Sequence, residues 1–220
     1  MARIIDLTHP MGSGMPVYPG TEPPVFKQAT SIQVEGFAEQ RLTLLTHTGT
    51  HLDVPAHMLP EGPTLSNLPP ERFMGPGCVL DLRGVNEIRR ADLEPYAPAL
   101  ARSAFAILRT GWEEHWANPE YFRGFPVLDQ AAAAWLTGFG LSGIGLDAIS
   151  VDSTDSSHYP VHHLLFEAGL VIVENLCNLG ALPASGFEFQ ALPLPIQNGD
   201  GSPVRAVAVI TSHSFAKSPI

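Results

Sequence analysis

Apolar positions in this chain group into short, dense runs rather than long amphipathic periods. RIIDLT near residue 3, QRLTLLTH at 40–47, GCVLDLRG at 77–84 and AFAILRT at 104–110 are four of them. GIGLDA at 143–148, GLVIVENL at 169–176 and VRAVAVITS at 204–212 are three more. Each has the length of a strand and is bounded by Gly, Pro or Asp, so each predicts a sheet strand. Helical spacing is scarcer: roughly 91–102, 128–138 and 159–168, with Leu128, Ala132 and Trp135 on one face of the second. Strands at both ends with helices collected between them predict a mixed α/β domain with more sheet than helix. YPGTEPP and LPEGPTLSNLPPERFMGPG read as loops, and the 21 prolines and 20 glycines are spread along the chain without forming a linker. With no boundary and no internal repeat, residues 1–220 are expected to form a single domain.

One stretch breaks the apolar pattern. HTGTHLDVPAH, residues 47–57, places three of the chain's nine histidines and an aspartate in eleven positions. Gly49, two threonines and Pro55 disfavour a helix. In an extended chain His47, Gly49, His51, Asp53, Pro55 and His57 share one face, opposite Thr48, Thr50, Leu52 and Val54. That face is a set of metal-type donors. Along a straight strand the α-carbons of His47 and His51 stand roughly 13 Å apart, too far for one ion. Either the chain bends at Gly49, or the face serves two ions with Asp53 as the bridge. A second group, YPVHHLLFEAGLVIVEN at 159–175, offers His162, His163 and Glu174, the last closing an apolar strand where an unpaired carboxylate is costly.

Charge narrows the class of partner. Lys and Arg total 12 against 22 Asp and Glu, a net charge of -10, which argues against nucleic acid and acidic membrane surfaces. No run of about 18 apolar residues and no cationic leader occurs, and Cys78 and Cys177 have no metal or redox spacing. The reading is a cytoplasmic protein with two buried reduced thiols. No GxGxxG or GxxxxGK[ST] phosphate loop is present.

HTGTHLDVPAH, the opening DLTHPM...PVYPG and the later HHLLFEAGLVIVENLCNL together resemble the cyclase-like metal-dependent hydrolases, which include bacterial kynurenine formamidases and isatin hydrolases. The resemblance implies a swivelling β/β/α domain, a mixed sheet with few helices, and a homodimer or larger homo-oligomer. It implies one or two divalent ions, Zn2+ or Mn2+, held by His47, His51, Asp53, His162 and Glu174, with Asp53 bridging. His162 is selected over His163 because the family's ligand histidine lies twelve residues before its glutamate. His57 takes the place of the acid/base. RTGW at 109–112 resembles a segment lining the family's substrate pocket, so Trp112 and Trp116 are candidates to stack an aromatic small-molecule substrate. Asp147 and Asp152, in GLDAISVD, read as structural or as supporting a ligand. The chain departs from the formamidases near its N-terminus, with YPGTE in place of a Trp-Pro-Gly-Asp stretch, and in the loop STDSSHY around His158.

The chemistry implied is hydrolysis of an amide-type C–N bond, in an aryl formamide such as N-formylkynurenine or in a cyclic amide, by metal-activated water with His57 moving the proton. One rival is a mononuclear iron oxygenase using His51, Asp53 and His162 as two histidines and a carboxylate; another is a non-catalytic metal-stabilised binding module. His9, His115, His158 and His213 carry no spacing argument and are expected in surface or capping roles.

Overall fold

The computed structural model describes residues 2–211. Its centre is a nine-stranded mixed sheet. Four buried parallel neighbours form the middle: β5 (Met74–Asp81), β7 (Phe105–Arg109), β9 (Gly143–Leu146) and β10 (Val171–Glu174). These are the densest apolar runs of the sequence, as expected of strands covered on both faces. Alternate residues feed two cores: Cys78, Leu80, Ala106, Leu108, Ile144, Leu146 and Ile172 on one face, and Val79, Phe105, Ile107, Val171 and Val173 on the other. Gly143 and Gly145 of β9 leave room on that second face, where a Cβ would come within 2.6 Å of Val171 and 2.7 Å of Leu176.

Antiparallel strands complete the sheet at both sides. Beyond β5 lie β11 (Ser185–Gln190), β13 (Val207–Ile210) and β1 (Arg3–Asp6); beyond β10 lie β4 (His51–Asp53) and β12 (Gly201–Pro203). The expected mixed α/β architecture with a large sheet and few, short helices is borne out. Two smaller pairs stand apart, β2 (Val25–Thr30) with β3 (Glu39–Thr43), and β6 (Glu87–Ile88) with β8 (Val127–Leu128).

The helices are shorter than the sequence suggests. The expected helix over 91–102 is α2 (Arg90–Leu93) and α3 (Ala97–Leu100) joined by a 3-10 turn, because Pro95 and Pro98 each remove a helical donor. α4 (Gln130–Leu136) starts where the Asp129 carboxylate accepts the Ala132 N–H at 2.6 Å, and α5 (Pro160–Glu167) carries His162. α1 (Ile32–Glu35) is a single turn between β2 and β3. The run at 40–47 is not a core strand: it ends at Thr43 in the β2–β3 ribbon, where Leu42 and Leu45 are about half exposed. The run expected over 204–212 forms β13 only at Val207–Ile210; Ser212, like His213, lies outside the described residues.

Candidate metal centre

The site forms where the sheet changes from parallel to antiparallel, at the carboxyl end of β10, the position at which open α/β sheets expose a crevice. The β10–β4 register sets Glu174 directly across from His51 and Ile172 across from Asp53. β12 pairs on the far side of β4, with Gly201 opposite Asp53, and so delivers Asp200 to the same place. α5 brings His162 from above the sheet edge, with its Nε2 3.4 Å from Glu174 Oε1.

Of the two geometries left open for residues 47–57, the chain takes the bend. β4 holds only His51 to Asp53; Gly49 sits at φ +69 and Pro55–His57 is a 3-10 turn. The bend returns His47 to Asp53, Nδ1 to Oδ1 at 2.6 Å, while His51 Nε2 lies 3.2 Å from the same oxygen and 3.5 Å from Glu174 Oε2. The turn brings the His57 ring to 3.9 Å from that of His47. Two overlapping groups result, His47–Asp53–His57 and His51–Asp53–Glu174, each with its donor atoms within 4.8 Å of one another. Asp53 belongs to both.

Gly49 is needed at the bend. An alanine there would be forced into the left-handed region, with its Cβ 2.7 Å from Met15 Cε. Such strain costs about 1–3 kcal/mol, and a loss of about 2 kcal/mol corresponds to a fall of about 4–8 °C in Tm for a chain this long. Gly49→Ala is expected to melt lower by that amount in a thermal scan; an unchanged Tm would mean the bend does not depend on glycine.

The donor set suits a divalent cation on three counts. First, each of the three candidate ligand histidines has its other ring nitrogen engaged: His47 Nε2 with Asp200 Oδ2 at 3.0 Å, His162 Nδ1 with Asp152 Oδ2 at 2.7 Å, and His51 Nδ1 with the Gly49 carbonyl at 2.8 Å. Such contacts orient metal-binding imidazoles. Second, Glu174 Oε1 is buried and faced only by His162 Nε2 at 3.4 Å, without a well-formed hydrogen bond, a costly state that a cation relieves. Third, the two buried carboxylates crowd each other: burial and the charge of Asp53 push the Glu174 pKa up, whereas the Asp53 pKa is lowered, His51 and His47 outweighing the effect of burial.

Supporting contacts lie behind the donors. Asp152 also accepts the backbone N–H groups of Val161 and His162 at 3.0 Å each, fixing the start of α5. Asn175, at φ +57, donates from Nδ2 to the Gly49 carbonyl at 2.8 Å and accepts the Tyr121 hydroxyl on Oδ1 at 2.6 Å. It thereby ties the end of β10 to the bend before β4.

Protonation follows from this crowding. Burial opposes charge on His47 and His162, but the carboxylates around them win, Asp53 and Asp200 raising His47 to about 10 and Asp152 and Glu174 raising His162 to about 9. His57 is different: burial first, then the charges of His47 and His162, lower it to about 4, which leaves it neutral at physiological pH. Folded-state values above about 6.5 mean that protons on His47 and His162 stabilise the metal-free fold fully below pH 6.5, and that this contribution is lost as pH rises through about 9 to 10. A cation needs the unprotonated rings. The gap in Tm between metal-loaded and metal-free protein is therefore expected to widen from pH 6.5 to 9; a constant or narrowing gap would remove these two histidines from the ligand set.

Several expectations change. Trp112 and Trp116 do not line the cavity over the cluster. Trp112 donates from Nε1 to the Tyr121 carbonyl at 2.9 Å, and Trp116 stacks on His9 at 3.9 Å, so both are packing residues around Tyr121. His9 is accordingly buried rather than on the surface. Asp147 accepts the Thr110 hydroxyl and the N–H groups of Thr110 and Gly111, holding the RTGW turn. His163 is half-buried and outside the cavity. Cys78 and Cys177 are buried and free. Asp200 was missed, since NGDGSP signals only a turn and nothing local marks its pairing with residues about 150 positions earlier. The cavity is about 420 Å³ and is lined by Val17, Leu45, Met58 and Ile149 besides the cluster.

The chain is similar to known proteins over most of its length. The Cyclase family model matches residues 5–153. A kynurenine formamidase of Geobacillus thermodenitrificans is 33% identical over 92% of this chain and 95% of its own length. Isatin hydrolase A from Labrenzia aggregata, solved bound to benzyl benzoate, superposes with a TM-score of 0.85 at 27% identity, covering 96% of this chain and 94% of that one. The structure of a potential metal-dependent hydrolase with cyclase activity gives 0.80 at 28% identity over 97% and 100%. A family match over more than half of the chain, full-length relatives and a shared mixed sheet agree: this chain belongs to the Cyclase family.

Proposed function

We propose that the chain is a divalent-metal-dependent amidohydrolase, with His47, His51, Asp53, His162 and Glu174 as the ligand set and His57 as the proton carrier. The observation that carries this reading is Asp53, whose one oxygen faces both His47 and His51, with the buried Glu174 carboxylate between His51 and His162 beside it. A divalent ion held there supplies an acidified water and polarises a carbonyl oxygen, with no need for a serine or cysteine nucleophile. His57, neutral and next to the cluster, would hold the proton given up by the attacking water on its ring nitrogen and pass it to the departing nitrogen. Asp200 Oδ2 lies 3.7 Å from His57 Nδ1, at the edge of the cluster. The apolar walls hold the organic part of the substrate and keep bulk water out.

Kynurenine formamidase and isatin hydrolase relatives support an aryl formamide or a cyclic amide as substrate. The test is hydrolysis of N-formylkynurenine by chelator-stripped protein, with and without added Zn2+ or Mn2+. Turnover restored by metal is expected; metal uptake without turnover of this compound or of isatin would overturn the reaction class. An iron oxygenase built on His51, Asp53 and His162 needs open positions around one ion, and here His47 and Glu174 crowd the same space.

We read residues 1–220 as one functional domain holding one or two ions, Zn2+ first and Mn2+ second. No helix among the described residues is long and apolar enough to cross a membrane, and the free buried cysteines favour a reducing, cytoplasmic setting. The β2–β3 ribbon, with Val25, Ile32, Val34, Phe37 and Leu42 exposed, supports a homodimer or larger assembly, since a monomer rarely leaves such a patch uncovered. Sedimentation is expected to give at least twice the 23.6 kDa chain mass; a monomer at micromolar concentration would refute this.

A further inference from the structure

Asn175 follows Glu174 directly and is not part of the cavity wall, yet each of its four polar groups is used. Its backbone N–H donates to the Ala148 carbonyl at 3.0 Å, and its own carbonyl accepts the Thr50 hydroxyl at 2.6 Å. Its side-chain amide reaches the bend before β4, donating from Nδ2 to the Gly49 carbonyl at 2.8 Å. That carbonyl also faces His51 Nδ1 at 2.8 Å. A carbonyl only accepts, so both nitrogens present a hydrogen to it, and their 3.5 Å approach to one another is that of two donors side by side. A neutral His51 is thereby the Nδ1–H tautomer, with Nε2 bare toward Asp53 and Glu174.

The amide is fixed from behind by Tyr121. With Nδ2 committed to Gly49, Oδ1 points away from the bend and needs a donor, and its sole one among the described residues is the Tyr121 hydroxyl at 2.6 Å. Tyr121 is fully buried on the 3-10 turn Pro119–Phe122, edge to face against Trp116 and Phe122, and does not line the cavity. A phenylalanine would fill that place in the core equally well but lacks the oxygen. The hydroxyl is 3.4 Å from the Asp147 carbonyl, a long second choice for its single proton. Burial pushes the phenol well above its usual pKa, so the proton stays. Without the hydroxyl, Oδ1 is left buried and bare, which favours rotation of the amide away from Gly49.

We propose that Tyr121 is a positioning residue for the metal ligand His51: its hydroxyl locks the Asn175 amide, the amide holds the Gly49 carbonyl, and that carbonyl keeps the His51 ring turned with Nε2 toward the ion site. The inference rests on the reading of His51 as a ligand given above. It assigns this work to a residue 54 positions from Asn175 that touches neither the donor cluster nor the cavity.

The test is a double-substitution cycle read by chelator-competition titration with Zn2+. Tyr121→Phe is expected to weaken Zn2+ binding about tenfold, the low end of what the partners of a ligand histidine contribute. Asn175→Gly removes the amide and tolerates the φ of +57 at this position, and should weaken binding by at least as much. Tyr121→Phe added to Asn175→Gly should then cost nothing further, because the hydroxyl has no amide left to act on. Trp112→Phe is the control: it removes the Nε1 bond to the Tyr121 carbonyl and so loosens the same turn, but should leave affinity unchanged. No loss from Tyr121→Phe, the same loss in both backgrounds, or a matching loss from Trp112→Phe would make Tyr121 a packing residue and overturn the proposal. A readout without metal separates this from the ligand reading. In metal-free wild type the His51 Nδ1–H is expected as a slowly exchanging NMR signal, and Tyr121→Phe should speed its exchange at least about tenfold. An unprotected proton in the wild type, or unchanged exchange in the variant, also overturns the proposal. A wild type that takes up no Zn2+ while this signal behaves as expected would sink the ligand reading and leave the hold of Tyr121 on His51 standing.

Discussion

Asp53→Asn is expected to abolish tight metal uptake and to lower kcat/KM by about a thousandfold or more. The substitution is nearly isosteric, and the backbone of β4 is held on both sides, by Ile172 of β10 and Gly201 of β12, so the fold should survive. What it removes is a buried charge whose Oδ1 is 2.6 Å from His47 and 3.2 Å from His51. Breaking one side of a buried charged cluster costs about 3–5 kcal/mol, and about 1.4 kcal/mol is a factor of ten. The metal-free protein should be destabilised near neutral pH as well, because Asp53 is a main cause of the raised His47 and His51 pKa values. Asp200→Asn makes the informative contrast. Asp200 bonds only the far nitrogen of His47 among the proposed ligands, lies 3.7 Å from His57 and is 42% exposed, so its loss should weaken metal affinity only about 10–100-fold. Chelator-competition titrations with Zn2+ separate the two. Full-affinity binding by Asp53→Asn would remove Asp53 from the site.

The contrast between Asp53 and Asp200 also marks what sequence can carry. Asp53 is legible because its partners lie within six residues, on a stretch too polar and too turn-prone to be core. Glu174 is legible because a carboxylate ends an apolar strand. The four parallel strands are legible because both faces are buried, which makes each a continuous apolar run. Asp200 depends on β12 pairing with β4, a non-local event with no local signature. β11 is not among the predicted strands because its apolar residues are sparse, although Phe187 and Phe189 alternate as a half-buried strand requires. The ribbon strand β3 misled for the opposite reason: Leu42, Leu44 and Leu45 look like core, while Leu42 and Leu45 stand exposed. Trp112 and Trp116 show the limit of residue type, since indoles beside a suggestive motif here pack around Tyr121.

His57→Ala is expected to separate metal binding from turnover. His57 sits on the 3-10 turn after β4, about one-quarter exposed, with its ring against that of His47 and its Nδ1 3.7 Å from Asp200. It is the one histidine of the cluster whose pKa falls, to about 4, while those of His47 and His162 rise. The ring is unprotonated at neutral pH and has a nitrogen free for a proton, while burial and the charges on His47 and His162 make it a weaker base than a free imidazole in the metal-free protein. Removing it leaves Asp53, His51, Glu174 and His162 in contact, so Zn2+ content should stay near that of the wild type. Turnover should fall by about 10²–10⁴, the usual worth of a positioned acid/base, with kcat bearing most of the loss. External imidazole fitting the vacated space should restore part of the rate. A variant that loses metal and activity together would instead make His57 a ligand, as its place in the His47–Asp53–His57 group allows. Near-normal turnover with metal bound would assign the proton transfer to another group.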